Sequence, residues 1–275
     1  MRVILVPVAD RPECANALHA AFTLGKRINA SITGCHIRPH RYSEVSMSTA
    51  FADESWRRKS TKTAPRKARK LYEEVAARSG FELIRRARTV PGALWAERVG
   101  SPGIMLSILG PVSDLIVVSR PQQSRGVADM FLYAALIESG CPTLIMPQNG
   151  RKTTGKKICI AWNQSKEAGA AVKAALRVLQ RADEVTILSC GSEDRVGPKS
   201  AQLAAYLAHW GIKAERVNTR GRNVEKELLQ GYKNAGADML IAGAYSRNRW
   251  REKVFGGTTE FLIRDARMPV LMQHL

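Results

Sequence analysis

The feature that most constrains this chain is that it is written twice. The first half opens with RVILVPVAD, an apolar run closed by a polar residue, and continues into an amphipathic stretch from Cys14 to Ile28. The second half opens with KKICIAWNQS and continues into an amphipathic stretch from Glu167 to Gln180. Late in each half an aspartate precedes an apolar run, SDLIVVS from Ser113 and ADMLIAG from Ala237. Each half then closes on a helix-like segment, a proline and a short apolar run, CPTLIMP from Cys141 and MPVLMQ from Met268. A repeat of this length means one architecture used twice. A chain of 275 residues has room for two cores.

Offsets between landmarks locate the insertions. Val3 matches Ile158 at about 155 positions, Gly80 matches Gly211 at about 131, and Asp114 matches Asp238 at about 124. The first half therefore carries extra residues between its second strand and second helix, and a few more before its fourth strand. Pro142 and Pro269 stand about 127 apart, so the first half is shorter in the loop after its fourth strand.

Strands and helices alternate within each half. In the second half strands are expected at Lys157–Trp162, Glu184–Cys190, Lys213–Asn218, Asp238–Gly243 and Val270–Gln273. Helices are expected at Lys166–Arg181, Pro198–Trp210, Asn223–Gly236 and Thr258–Ala266. The strands are short and apolar at their centres, as strands covered on both faces are. Alternation of this kind implies an α/β fold with a doubly wound, Rossmann-like parallel sheet and right-handed crossovers. The domains are expected at 1–149 and 156–275, with the basic, glycine-flanked GRKTTGKK (Gly150–Lys157) between them.

Composition narrows the classes. No run approaches the roughly 18 apolar residues that span a bilayer. The N-terminal run is short and lacks a cleavage site, so it reads as a buried strand in a cytoplasmic protein. Five scattered cysteines make no CxxC pair and fit small buried hydrophobes in a reducing compartment. No Ser-His-Asp or Cys-His set emerges. The net charge of +19 attracts polyanions. Eight of the 14 residues in Arg57–Lys70 are Lys or Arg. That run fits either a solvated loop leading into helix Pro65–Ser79 or a weak, salt-dependent polyanion contact.

An open parallel sheet binds ligands beyond the C-terminal ends of its strands, at the point where strand order reverses. In the second half this directs attention to Trp162–Ser165, Cys190–Ser192 and Gly243–Thr259. Gly256 and Gly257 precede a helix whose first amides are free for an anion. Thr258 and Thr259 add hydroxyls, and Arg247, Arg249 and Arg251 add charge. The same Gly-Gly-Thr-Thr also serves as a turn and N-cap. Trp162 can stack on a base or cover the sheet edge.

The segment resembles the nucleotide loop of universal stress proteins: Gly, two residues, Gly, nine residues, Gly, then Ser or Thr. Gly243 matches the first glycine, Ser246 stands at the second, nine residues lead to Gly256, and Gly257 takes the Ser/Thr place. GAYSRNRWREKVFGG echoes the GxYGxSRxRExxFGG branch, and the resemblance extends once over each half. It implies two adenine nucleotide hydrolase-like domains in a stress-response protein without strong catalysis, with ATP or AMP held in the C-terminal domain only. The implied cofactor-binding residues are Trp162, Asn163, Cys190, Gly243, Ser246, Arg249, Gly256, Gly257, Thr258 and Thr259. The resemblance further implies self-association through the final strands, as an intra-chain pseudo-dimer or a homodimer.

Departures are specific. Asn163 stands where ATP-holding members carry an aspartate, Ser246 adds a Cβ, and Gly257 removes a hydroxyl. The first half keeps Asp10 at that aspartate position and places Ile37 after its second strand. Its loop, however, runs SRPQQSRGVADMFLYAAL without a Gly-Gly, and this half is expected to hold no nucleotide. Two alternatives remain open: a nucleotide-free scaffold, or a weak ATP-hydrolysing enzyme. The second lacks an evident general base or metal-binding carboxylate cluster near the loop.

Overall fold

The structure, a computed structural model, describes residues 1–38, 64–121, 127–148, 155–221, 223–244 and 257–275. The chain divides into two compact units, Met1–Gln148 and Asn149–Leu275.

The first unit contains β1 (Val3–Pro7), α1 (Pro12–Ile28), β2 (Ser31–Arg38), α2 (Ala64–Arg78), β3 (Ala93–Val99), α3 (Pro102–Leu109), β4 (Leu115–Ser119), α4 (Val127–Tyr133) and β5 (Thr143–Met146). The second contains β6 (Lys157–Ala161), α5 (Lys166–Leu179), β7 (Glu184–Cys190), α6 (Ser200–Ala208), β8 (Ala214–Thr219), α7 (Val224–Asn234), β9 (Met239–Gly243), α8 (Gly257–Arg264) and β10 (Val270–Gln273).

Within the first unit the strands lie in the order β3-β2-β1-β4-β5, and within the second β8-β7-β6-β9-β10. All these neighbours pair in parallel. The two units are thus the same doubly wound α/β domain, and order reverses between the first and fourth strand of each. Strand centres such as Ile4-Leu5-Val6, Ile116-Val117 and Met239-Leu240-Ile241 are fully buried because helices cover both faces. α5 turns Ala168, Ala171, Val172, Ala175, Val178 and Leu179 inward at helical spacing.

The two aspartate landmarks have a shared physical cause. Asp114 Oδ2 accepts from the Arg2 and Val3 amides at 2.5 and 2.9 Å. Asp238 accepts from the Lys156 and Lys157 amides at 3.3 Å each. In both units a carboxylate at the foot of the fourth strand satisfies free amides at the foot of the first, and so fixes their register.

The first unit corrects one expectation. Ile37 lies inside β2, paired with Arg98 of β3, and not beyond the strand end. Of the basic run, Arg57–Thr63 falls outside the described residues, and the remainder forms the start of α2. There Lys67 pairs with Asp10 at 3.5 Å, and Arg69 and Lys70 pair with Glu73 and Glu74 one turn on. These are exposed pairs, each worth about 0.5 kcal/mol or less. No helix among the described residues is long and apolar enough to cross a membrane.

Candidate functional site

Because β6, β7 and β9 run parallel, their C-terminal ends share one edge, and the helices that follow them start there. At the switch β6 and β9 pair up to Ile160 and Ile241, so their last residues, Ala161 and Gly243, both lie at that edge. The residues leaving β6 are occupied locally. Asn163 is exposed, and its Oδ1 accepts from the Ser165 amide at 3.2 Å. Ser165 in turn caps α5, its Oγ accepting from the Ala168 amide at 3.1 Å. Between them Gln164 adopts a left-handed backbone, φ +64°, which sends its side chain inward to 5% exposure.

Trp162 is likewise 5% exposed, and its indole Nε1 donates to the Pro198 carbonyl at 2.9 Å. The indole is therefore packed under the chain that follows β7. That segment, residues 193–198, is folded back across the ends of β6 and β7. Gln164 Nε2 donates to the carbonyls of Glu193 and Arg195 at 3.1 and 3.0 Å, and Gln164 Oε1 accepts from the Arg195 amide at 3.2 Å. Glu193 Oε1 accepts from Ser189 Oγ at 2.8 Å and from the Ser200 amide at 2.9 Å, the first free amide of α6. Burial pushes the Glu193 carboxyl up. Hydrogen bonds from Ser189 and Ser200 and the Lys199 charge outweigh that and hold it below its ordinary value.

Gly243 closes β9. A Cβ there would stand 2.5 Å from the Ala168 nitrogen and 2.7 Å from the Glu167 carbonyl carbon. The glycine lets the first turn of α5 approach the strand. This requirement exists whether or not a ligand binds. Cys190 ends β7 opposite Thr219 of β8. Burial raises its thiol above the ordinary value, and the hydrogen bond with Thr219 offsets only part of this. Cys190 is a neutral wall residue and not a poised nucleophile. Burial also pushes the Cys159 thiol in the middle of β6 up to about 12.

Gly257 is the first residue of α8, one position earlier than the sequence expectation, and Thr258 and Thr259 occupy its first turn. A Cβ on Gly257 would meet Glu225 Oε1 of α7 at 3.4 Å, so a carboxylate borders the start of this helix. Ser246, Arg249 and Gly256 lie outside the described residues. The structure thus brings Trp162, Asn163, Cys190, Gly243, Gly257, Thr258 and Thr259 to one strand-end edge. Gln164, Glu193, Gly197 and Glu225 belong to the same edge and carried no motif; only Gly197 had a composition signal, as a glycine in a polar loop. Among the described residues no group of three or more His, Cys, Asp and Glu side chains is placed to hold a metal ion.

The corresponding edge of the first unit is built differently. Asp10 is exposed and turned to Lys67. Arg120 follows β4 and is buried, and Asp129 is buried in the first turn of α4. A buried carboxylate in the first turn of this helix is unfavourable to a phosphate there.

A five-stranded parallel unit with this strand order, its open edge at the first and fourth strands, is a doubly wound α/β domain, and this chain holds two in tandem. Residues 191–274 match the family model described as "Universal stress protein family", so the second unit carries a domain of that family. Over the whole chain the fold is similar to that of a universal stress protein from Archaeoglobus fulgidus DSM 4304. That structure has a TM-score of 0.71 at 15% identity, with 98% of this chain and 95% of that chain covered. It is also similar to a functionally unknown protein from Pseudomonas aeruginosa PAO1, with a TM-score of 0.57 at 15% identity, covering 99% and 92%. At such identities the likeness is one of fold. No curated protein matches the sequence.

Proposed function

We propose that the second unit binds an adenine nucleotide, ATP or AMP, at the ends of β6, β7 and β9, as a cytoplasmic stress-response regulator without strong catalysis. The observation that supports this is the start of α8. Gly257, Thr258 and Thr259 form its first turn at the switch-point edge, inside the stretch that matches the family, and a helix start there suits an anion. Bound nucleotide would alter the surface that this edge offers to a partner.

One observation favours a nucleotide-free scaffold instead: Gly243 is accounted for by its contact with α5, and Asn163 by its own turn. Calorimetric titration of ATP into the purified chain separates the two. Binding with a Kd at or below about 1 mM, abolished in Gly256→Asp, supports the proposal, whereas no heat at that concentration leaves the scaffold. Phosphate release should stay at background, and turnover above it would overturn the non-catalytic part.

A further inference from the structure

The segment 193–198 is fastened at several points: Lys199 Nζ donates to the carbonyls of Glu193 and Arg195 from the solvent side, and buried Gln164 holds the same carbonyls from beneath. Gln164 reaches it through the carbonyls of Glu193 and Arg195 and the Arg195 amide. Gly197 lies so close that a Cβ on it would overlap the Gln164 carbonyl oxygen. Under the same segment Trp162 donates to Pro198. At its foot Glu193 ties Ser189 of β7 to the first amide of α6. Every one of these anchors lies at the ends of β6 and β7, next to the switch point. The tip, by contrast, is free: Val196 is fully exposed. None of residues 193–198 is itself buried, so apart from the cover it gives Trp162 the segment is held by polar contacts, and it is cheaper to release than a packed core element.

We infer that residues 193–198 form a strap and that Gln164 is the latch holding it shut across the base end of the site. The inference rests on the nucleotide reading above for its consequence, but the latch itself rests on geometry alone. Ligands of doubly wound sheets lie outside the strand ends at the switch. The closed strap is fixed to the third residue beyond β6, on the ground where the base would lie. Nucleotide and closed strap therefore compete. The free chain spends most of its time closed, and apparent affinity is lowered by the fraction that is closed.

Two variants test this. Gln164→Leu removes the donor and acceptor while keeping an unbranched Cβ, and Gly197→Ala places a methyl against the Gln164 carbonyl. Hydrogen exchange followed by mass spectrometry reads strap release at the Ser200 amide, whose acceptor, Glu193, neither variant changes. Both variants should speed that exchange at least about tenfold while β6 and β9 peptides keep wild-type protection. ATP should bind both variants several-fold more tightly, and ATP added to wild type should speed Ser200 exchange. Unchanged Ser200 exchange in both variants overturns the latch. Faster exchange with unchanged or weaker ATP binding overturns the gate while the nucleotide site stands. No ATP binding by wild type or either variant overturns the nucleotide reading and the gate with it, and the exchange data still decide the latch.

Discussion

The ends of the fourth strands show how the two units diverged. In the first unit Ser119 closes β4, and its Oγ donates to the Glu13 carbonyl of α1 at 2.5 Å. In the second unit Gly243 closes β9, and Glu167 and Ala168 of α5 sit where its Cβ would be. The landmark offsets put Ser119 opposite Gly243 and Glu13 opposite Ala168. One fold thus meets the same helix-to-strand contact either with a hydroxyl and a hydrogen bond or with a missing side chain and close backbone approach. A glycine in a nucleotide-loop pattern can accordingly persist for packing. The helix starts differ in kind as well: buried Asp129 in α4, but Gly257 with two threonines in α8. The second offers hydroxyls in its first turn, with Glu225 beside it, where the first buries a carboxylate.

The largest effect that would sharpen this contrast lies beneath α2. Tyr72 is fully buried, its hydroxyl donates to the Ile32 carbonyl at 2.7 Å, and its ring sits over Gly34 between Phe22 and Trp95. The offsets place Leu203 and Ser189 at the matching positions of the second unit. Tyr72→Ala should cost about 4 kcal/mol and Leu203→Ala about 3 kcal/mol in denaturant unfolding. Equal costs would mean that the aromatic packing around Tyr72 adds nothing over the aliphatic packing of Leu203.

Next comes the contact itself. Gly243→Ala should destabilise by roughly 2–3 kcal/mol, since the new methyl meets helix backbone that cannot rotate away. Ser119→Ala removes one hydrogen bond and should cost about 1 kcal/mol. If Gly243→Ala is neutral in stability but abolishes ATP binding, the glycine serves the ligand and the packing account fails.

Much of this was legible in sequence where apolar runs carry the signal. β7 and β10 fall at Glu184–Cys190 and Val270–Gln273 as expected, because both are continuous runs bounded by polar residues. β8 was expected one residue early. It is an edge strand, AERVNT, with charged residues that blur both limits. α6 was expected from Pro198 but begins at Ser200, because the Pro198 carbonyl is taken by Trp162 and Glu193 accepts the Ser200 amide. The strap could not be read. Nothing in the letters Trp-Asn-Gln-Ser shows that Gln164 takes a left-handed backbone, and its partners lie about 30 residues on, in a loop without periodicity.

A smaller effect tests the asymmetry of the two helix starts. At ATP tenfold above its Kd, binding stabilises the occupied unit by about 1.4 kcal/mol. Hydrogen exchange should slow in the first turn of α8, and α4 should be unmoved. Slowing at α4 would contradict the reading that buried Asp129 disfavours an anion at that helix start.

The smallest expected effect concerns acid and the foot of the strap. Burial raises the Glu193 carboxyl, but hydrogen bonds from Ser189 and Ser200 and the Lys199 charge favour the carboxylate and hold it below its ordinary value of 4.5. A depressed carboxyl contributes stability that is fully present above its unfolded value and is lost as pH falls through the lower folded one. The strap should therefore be indifferent to pH from neutrality to about 5 and loosen only below the ordinary carboxylate range. Glu193→Gln keeps an acceptor for Ser189 and Ser200 but carries no charge for Lys199 or for the start of α6. At neutral pH this variant should exchange its Ser200 amide faster than wild type, and the two should converge only once pH falls below the ordinary carboxylate range and the wild-type carboxyl protonates. A difference that persists unchanged into acid would show that shape rather than charge fixes the foot of the strap, and would leave Gln164 as its principal anchor.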